Sequence, residues 1–88
     1  MKRIVFSAHA RSQLALRGAT ESEVTKAIQE GEEVAAKQER TAFRKNFRYQ
    51  SRWMGKFYES KQVMAVVVDE GETVVVVTVY VFYIGGSQ

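Results

Sequence analysis

The chain of 88 residues contains one histidine, and its spacing is the first chemical feature. His9, Gln13 and Arg17 recur every fourth residue, so on a helix they form one row. An unperturbed imidazole titrates at about pH 6.5 and serves as acid or base near neutrality. Arg17 would add a fixed cation to the same row. A second concentration of charge lies downstream: residues 41–62 hold six Lys/Arg against one Glu. Residues 1–40 are nearly balanced, with seven Lys/Arg against six Glu, and residues 63–88 carry three acids and no base. A basic middle segment is a candidate phosphate-facing patch, the alternative being the solvated side of a sheet.

The segments that must carry these residues are legible from punctuation and period. Lys2–Phe6 reads as a short first strand or an extended lead-in. Ser7 is a good N-cap, Ala8–Arg17 a helix with Ala10 and Leu14 toward the core, and Gly18 its left-handed stop. Thr20–Glu23, "TESE", is a capping box, and Val24, Ala27 and Ile28 form the apolar stripe of a second helix ending at Gly31.

After Gly31 the period becomes two. In Ala42–Trp53, residues Phe43, Lys45, Phe47, Tyr49, Ser51 and Trp53 alternate with Arg44, Asn46, Arg48, Gln50 and Arg52. That pattern predicts a half-buried antiparallel strand, bent near its end, with aromatics toward the helices and arginines toward solvent or a ligand. Met54-Gly55 predicts a turn before Lys56–Glu59. Val63–Asp69 and Thr73–Tyr83 predict a Val-rich hairpin around "DEGE". The expected architecture is α+β: two N-terminal helices packed on a twisted, mainly antiparallel four-stranded sheet, with residues 1–88 as a single domain.

Composition narrows the chemistry. There is no cysteine, which removes disulfides and thiol nucleophiles, and one histidine gives no basis for a zinc site. No metal or cofactor is expected. The apolar part of the start, "IVF", is too short for a secretory signal. The longest apolar run, Val74–Ile84, falls well short of the roughly 20 residues of a spanning helix. A soluble, cytoplasmic protein with no membrane partner is expected.

The block His9–Thr20 reads H-A-x-x-Q-x-x-x-R-G-x-T. It resembles the start of a widespread set of small microbial domains of unknown function, which show H-A-x-x-R-x-x-x-R-G-[IV]-S/T, a second helix, and a sheet ending near T-V-Y. This chain has that triplet at Thr78–Tyr80. The group is similar to the RelE-like and barnase-like ribonuclease fold of bacterial toxins. Gln13 stands where the motif has its first arginine, and Ala19 where it has a branched apolar residue.

The resemblance implies an RNA-contacting, metal-independent ribonuclease or toxin-like protein of a toxin–antitoxin type. In such cleavage a base takes the ribose 2′-hydroxyl proton, an acid protonates the leaving oxygen, and cations stabilise the phosphate. His9 is then the acid/base candidate, with Arg17 and Lys45 neutralising phosphate. Arg44, Arg48, Arg52 and Tyr58 are RNA-binding candidates, while Gln13, Thr78 and Tyr80 would orient the site, and Tyr49 could also stack on a base. Barnase-type catalysis pairs a carboxylate with a histidine, and no acid is aimed at His9 by spacing; RelE-type enzymes use basic and tyrosyl groups instead. The rival expectation is a non-catalytic interaction module of the same fold that binds an acidic, antitoxin-like protein. Exposed strand edges also make a homodimer an expected partner state.

Overall fold

The computed structural model describes residues 2–85. Its element order is β1 (Arg3–Phe6), α1 (Ala8–Arg17), α2 (Glu21–Glu30), β2 (Glu32–Ala35), β3 (Thr41–Trp53), β4 (Lys56–Asp69) and β5 (Thr73–Ile84). The five strands form one sheet in the order β1-β5-β4-β3-β2. All pairings are antiparallel except β1 with β5, which is parallel. The α+β class stands, but the sheet is five-stranded and mixed rather than four-stranded and antiparallel.

Three local causes account for the difference. The lead-in pairs with β5, from Arg3 opposite Thr73 to Phe6 opposite Val76, and becomes a true strand. β2, with the sequence EEVA, carries no alternation that would mark it, yet it pairs with β3 from Glu32 opposite Arg44. The Arg44 guanidinium donates to Glu32 Oε1 at 2.9 Å across that pair. Finally, the polar stretch Glu59–Gln62 looks like a break between strands but is continuous β4, because Lys61 within it is buried and its ammonium is engaged by Gly18 O and Glu23.

The helices begin and end as their caps dictate. Ser7 Oγ accepts from the Ala10 N–H at 3.0 Å, and the Thr20/Glu23 capping box is complete in both directions. Both helices lie on one side of the sheet, over a core of Val63, Ala65 and Val67 from β4, Val74, Val76 and Val79 from β5, and Ala10, Ala19 and Val24. α1 runs along β5: the Ser7 N–H donates to Val76 O at 3.0 Å, and at the other end the Tyr83 hydroxyl donates to Arg17 O at 2.8 Å.

Two bulges decide which side chains reach which face. The β4–β5 register steps from Val66 opposite Thr78 to Val67 opposite Val76, leaving Val77 as an extra residue. A one-residue insertion inverts the alternation beyond it. Val79 therefore returns to the core, and Thr78, Tyr80, Phe82 and Ile84 turn to the helix-free face. In β3 the register steps between Arg48, opposite Ser60, and Ser51, opposite Tyr58. This second bulge supplies the bend expected near the strand end. Beyond it Met54 (φ 54°) and Gly55 (φ 81°) close a two-residue turn between Trp53 and Lys56, the backbone of a type I′ hairpin.

Candidate nucleic-acid interface on the helix-free face

The helix-free face is assembled from residues that strand alternation directs away from the core. Across β3, β4 and β5 they fall into rows: Ala42, Val66 and Thr78; Arg44, Met64 and Tyr80; Asn46, Gln62 and Phe82; Arg48, Ser60 and Ile84. Neighbouring strands lie about 4.8 Å apart, so each row spans about 10 Å. Tyr80, Phe82 and Ile84 are 39%, 46% and 44% exposed, on the part of β5 that extends past its pairing with β1. The Tyr80 and Phe82 rings are nearly parallel, at 22°, with centroids 6.5 Å apart.

α1 delivers a cation to this aromatic pair. The Arg17 guanidinium lies 5.0 Å from the Tyr80 ring centroid, close enough for an electrostatic attraction to the ring face. One helical turn earlier Gln13 is half-buried, and its Oε1 is buried with no hydrogen-bond partner. One turn earlier again His9 is exposed, and no hydrogen bond or ion pair engages its imidazole among the described residues. Only its backbone carbonyl is used, accepting from Ser12 Oγ at 2.7 Å. Four residues of helix rise about 6 Å, so His9 and Arg17 are offset by about 12 Å along the axis.

A buried ionic staple fixes the C-terminus of α1. Lys61, 5% exposed, donates from Nζ to Gly18 O at 2.7 Å and pairs with Glu23 Oε1 at 2.9 Å. Its ammonium also lies 5.1 Å from the Tyr49 ring centroid. Tyr83 holds the preceding carbonyl and is packed by Tyr49, Trp53 and Tyr58, with ring centroids 5.5, 5.2 and 5.2 Å away. Burial, with the Tyr49 phenol and the Glu23 carboxylate adding to it, pushes the Tyr83 hydroxyl up to about 12. Gly18 is required twice here. Its φ is +80°, and a Cβ would stand 2.4 Å from Tyr83 Oη and 2.7 Å from the Trp53 ring.

The residues singled out by sequence therefore separate into groups. His9, Gln13 and Arg17 share the α1 row, and Arg17 meets Tyr80, with Thr78 two residues away on the same face. Thr78 makes no hydrogen bond to His9. Lys45 does not join them: it lies on the helix side of β3, its Nζ 3.6 Å from Glu30 Oε1, with β4 between it and β5. Arg44 is on the helix-free face but already bound to Glu32. Arg48 is on that face, exposed and without an ionic partner among the described residues. Arg52 caps the hairpin turn by donating to Gly55 O at 3.3 Å, and Tyr58 packs on Tyr83.

Phe82, Asn46 and Gln62 escape a reading by composition. The Gln62 side-chain amide donates to Asn46 Oδ1 at 3.0 Å beside Phe82. The alternation Tyr80-Val81-Phe82 would have signalled the aromatic pair, had its face been known. No cluster of three or more His, Asp or Glu suited to a metal occurs among the described residues, and no helix is long and apolar enough to cross a membrane.

This architecture can be set beside known proteins. The model of the family described as Domain of unknown function (DUF4258) matches residues 6–81, from the end of β1 to Val81 in β5. The chain belongs to this family. The match takes in His9, Gln13, Arg17, Gly18, Lys61, Thr78 and Tyr80 of the DUF4258 domain, and leaves Phe82, Tyr83 and Ile84 beyond its end. No curated protein and no solved structure matches the chain.

Proposed function

We propose that this DUF4258 chain is a RelE-like RNA-contacting domain acting as a metal-independent ribonuclease, with RNA lying along the helix-free face beside α1. The observation that carries the reading is Arg17, drawn from α1 onto exposed Tyr80 at the head of the His9–Gln13–Arg17 row. An aromatic surface flanked by a guanidinium suits an unpaired strand, because bases stack on rings and phosphates seek cations. In this reading His9 moves the proton, acting on the ribose 2′-hydroxyl or on the leaving oxygen. Arg17 stabilises charge on the phosphate, and Arg48 holds a neighbouring phosphate. The unengaged imidazole of His9 supports that role, since a general acid or base needs a nitrogen free for substrate. Lys45 is left out because Glu30 already engages it.

The test is direct. Defined RNAs incubated with the protein and a chelator should yield shortened products ending in 2′,3′-cyclic phosphate, and His9→Ala should yield little. Equal product from both proteins would remove His9 from the reaction.

A second reading has its own observation. Phe82 and Ile84 expose apolar surface on the face that also carries Arg48 and, at Tyr80, Arg17, which also suits an acidic protein partner with apolar anchors. Intact RNA after prolonged incubation, together with a complex formed with a co-encoded acidic protein, would favour that interaction module.

A further inference from the structure

We propose that the open edge of β5, from Val77 to Ile84, docks one extended peptide segment, with apolar residues at alternate positions and a carboxylate for Arg17. This docking rests on the interaction-module reading of the face and not on cleavage of RNA.

β1 covers only the first part of β5, ending at Phe6 opposite Val76. The chain then leaves the sheet as α1, with the Ser7 N–H donating to Val76 O and its hydroxyl to Val77 O. From Thr78 to Ile84, β4 pairs with one side of the strand. On the other side no backbone group has a hydrogen bond among the described residues. Unpaired N–H and C=O groups in a row are a template for a further strand.

The remaining edges are blunted, and this one is not. β1 and β2 are four residues each, with Arg3 on the first and Glu32 and Glu33 on the second. β3, past its pairing with β2, carries Lys45, Arg48 and Arg52 and is bent by its bulge. Short length, charge and bulges are the usual means of keeping a foreign strand away. β5 has neither a charged residue nor a proline from Thr73 to Ile84, and Tyr80, Phe82 and Ile84 stand exposed along its open part.

The charge at this edge comes from α1. Arg17 starts on the helix side and its guanidinium reaches the Tyr80 ring on the other face, so the side chain crosses the edge. No carboxylate pairs with it among the described residues. An exposed contact of a cation with a ring is worth about 0.5–1 kcal/mol, so a carboxylate on an incoming strand can draw the guanidinium away at small cost. That requirement makes the segment acidic. One turn earlier in the same row, the buried Oε1 of Gln13 has no hydrogen-bond partner and is free to accept from an N–H of the segment.

A second copy of the chain does not fit the edge. α1 runs along this same stretch, from Ser7 at Val76 to Arg17 at Tyr83. Two β5 strands joined antiparallel would lie about 4.8 Å apart, with both α1 helices above them on one side. Packed helices need about 8–10 Å. A lone segment brings no helix and avoids the collision.

The experiment uses ¹⁵N-labelled protein and an acetylated nonapeptide of alternating valine and polar residues, with glutamate at its centre. A second peptide has lysine at the centre, and a third is N-methylated at its five central residues and cannot complete a ladder. NMR titration to millimolar peptide and amide hydrogen exchange locate the contact. The glutamate peptide should shift and protect Thr78–Ile84 and shift the Arg17 Nε–H signal. The lysine peptide should bind at least about 5-fold more weakly, the upper range for one exposed ion pair. The N-methylated peptide should not bind, and Arg17→Gln should bring the glutamate and lysine peptides within about 2-fold of each other.

No response from Thr78–Ile84, or equal binding of the N-methylated peptide, would overturn docking at the edge. A glutamate preference that survives Arg17→Gln would overturn the role of Arg17. A dimer in sedimentation equilibrium, with Thr78–Ile84 protected before any peptide is added, would overturn the lone segment in favour of a second copy. None of these readouts involves RNA, so failure of the ribonuclease reading and failure of the edge are distinguishable.

Discussion

Replacing Gly18 by alanine tests the structural core of this account, because the same residue ends α1 and lets two aromatic rings approach it. The backbone penalty is that of a left-handed residue with a Cβ, about 1–2 kcal/mol. A second penalty follows from the contacts. The new methyl would lie 2.4 Å from Tyr83 Oη and 2.7 Å from the Trp53 ring, and overpacking of that kind costs about 1–3 kcal/mol. We expect a total loss near 3 kcal/mol, which lowers the Tm of a domain this size by about 12–24 °C. Gly55 provides the control: its φ is +81°, but nothing lies within 4 Å of an added Cβ. Gly55→Ala should therefore cost only the backbone share, about 1–2 kcal/mol. Urea unfolding followed by circular dichroism gives both numbers, and Trp53 fluorescence reports whether its stacking on Tyr83 persists. Equal losses for Gly18→Ala and Gly55→Ala, with Trp53 emission unchanged, would refute the packing of the rings on Gly18.

Three further outcomes follow from the same residues. Lys61→Met should cost about 2–3 kcal/mol in urea titration, somewhat less than a fully buried pair because Glu23 keeps access to water. Adding Glu23→Gln should recover part of that loss, and purely additive effects would show that the pair does not interact. Tyr83 keeps its proton more tightly in the folded state than at its ordinary value of 10.0, titrating at about 12. Its contribution to stability is therefore complete below pH 10 and is lost as pH rises toward 12. Relative to Tyr83→Phe, wild type should lose stability across that interval, and parallel pH profiles would contradict the shift. Met54 holds a left-handed conformation in a two-residue turn, so Met54→Asn should gain about 0.5–1 kcal/mol in thermal melts; no gain would place the turn in another geometry.

What could be read from the chain depended on whether a local pattern determined the outcome. Both helices were legible because Ser7, Gly18, the capping box and Gly31 act within a few residues of themselves. The hairpin turns were legible for the same reason. β2 was not, since its strand state comes from pairing with β3 rather than from any alternation of its own. The break expected in β4 came from Lys61 and its polar neighbours. Nothing within that strand shows that a carbonyl and a carboxylate some forty residues earlier will receive the ammonium. The faces of β5 were hidden by one residue: without the Val77 bulge, Thr78 and Tyr80 would continue the face of Val74 and Val76. The row His9–Gln13–Arg17 followed from helical spacing alone, whereas its meeting with Tyr80 depends on the path of α1 along β5. Lys45 looked equivalent to its basic neighbours until Glu30 came within reach of it.

The central claim, that this DUF4258 domain cleaves RNA through His9, rests on one comparison. Wild type and His9→Ala, purified identically and supplied with a defined single-stranded RNA and a chelator, are compared for the rate of new 2′,3′-cyclic phosphate ends. Wild type should cleave, and the variant should do so at a rate at least about 100-fold lower, the usual worth of a general acid or base. Equal rates, or RNA left intact by wild type, would contradict it.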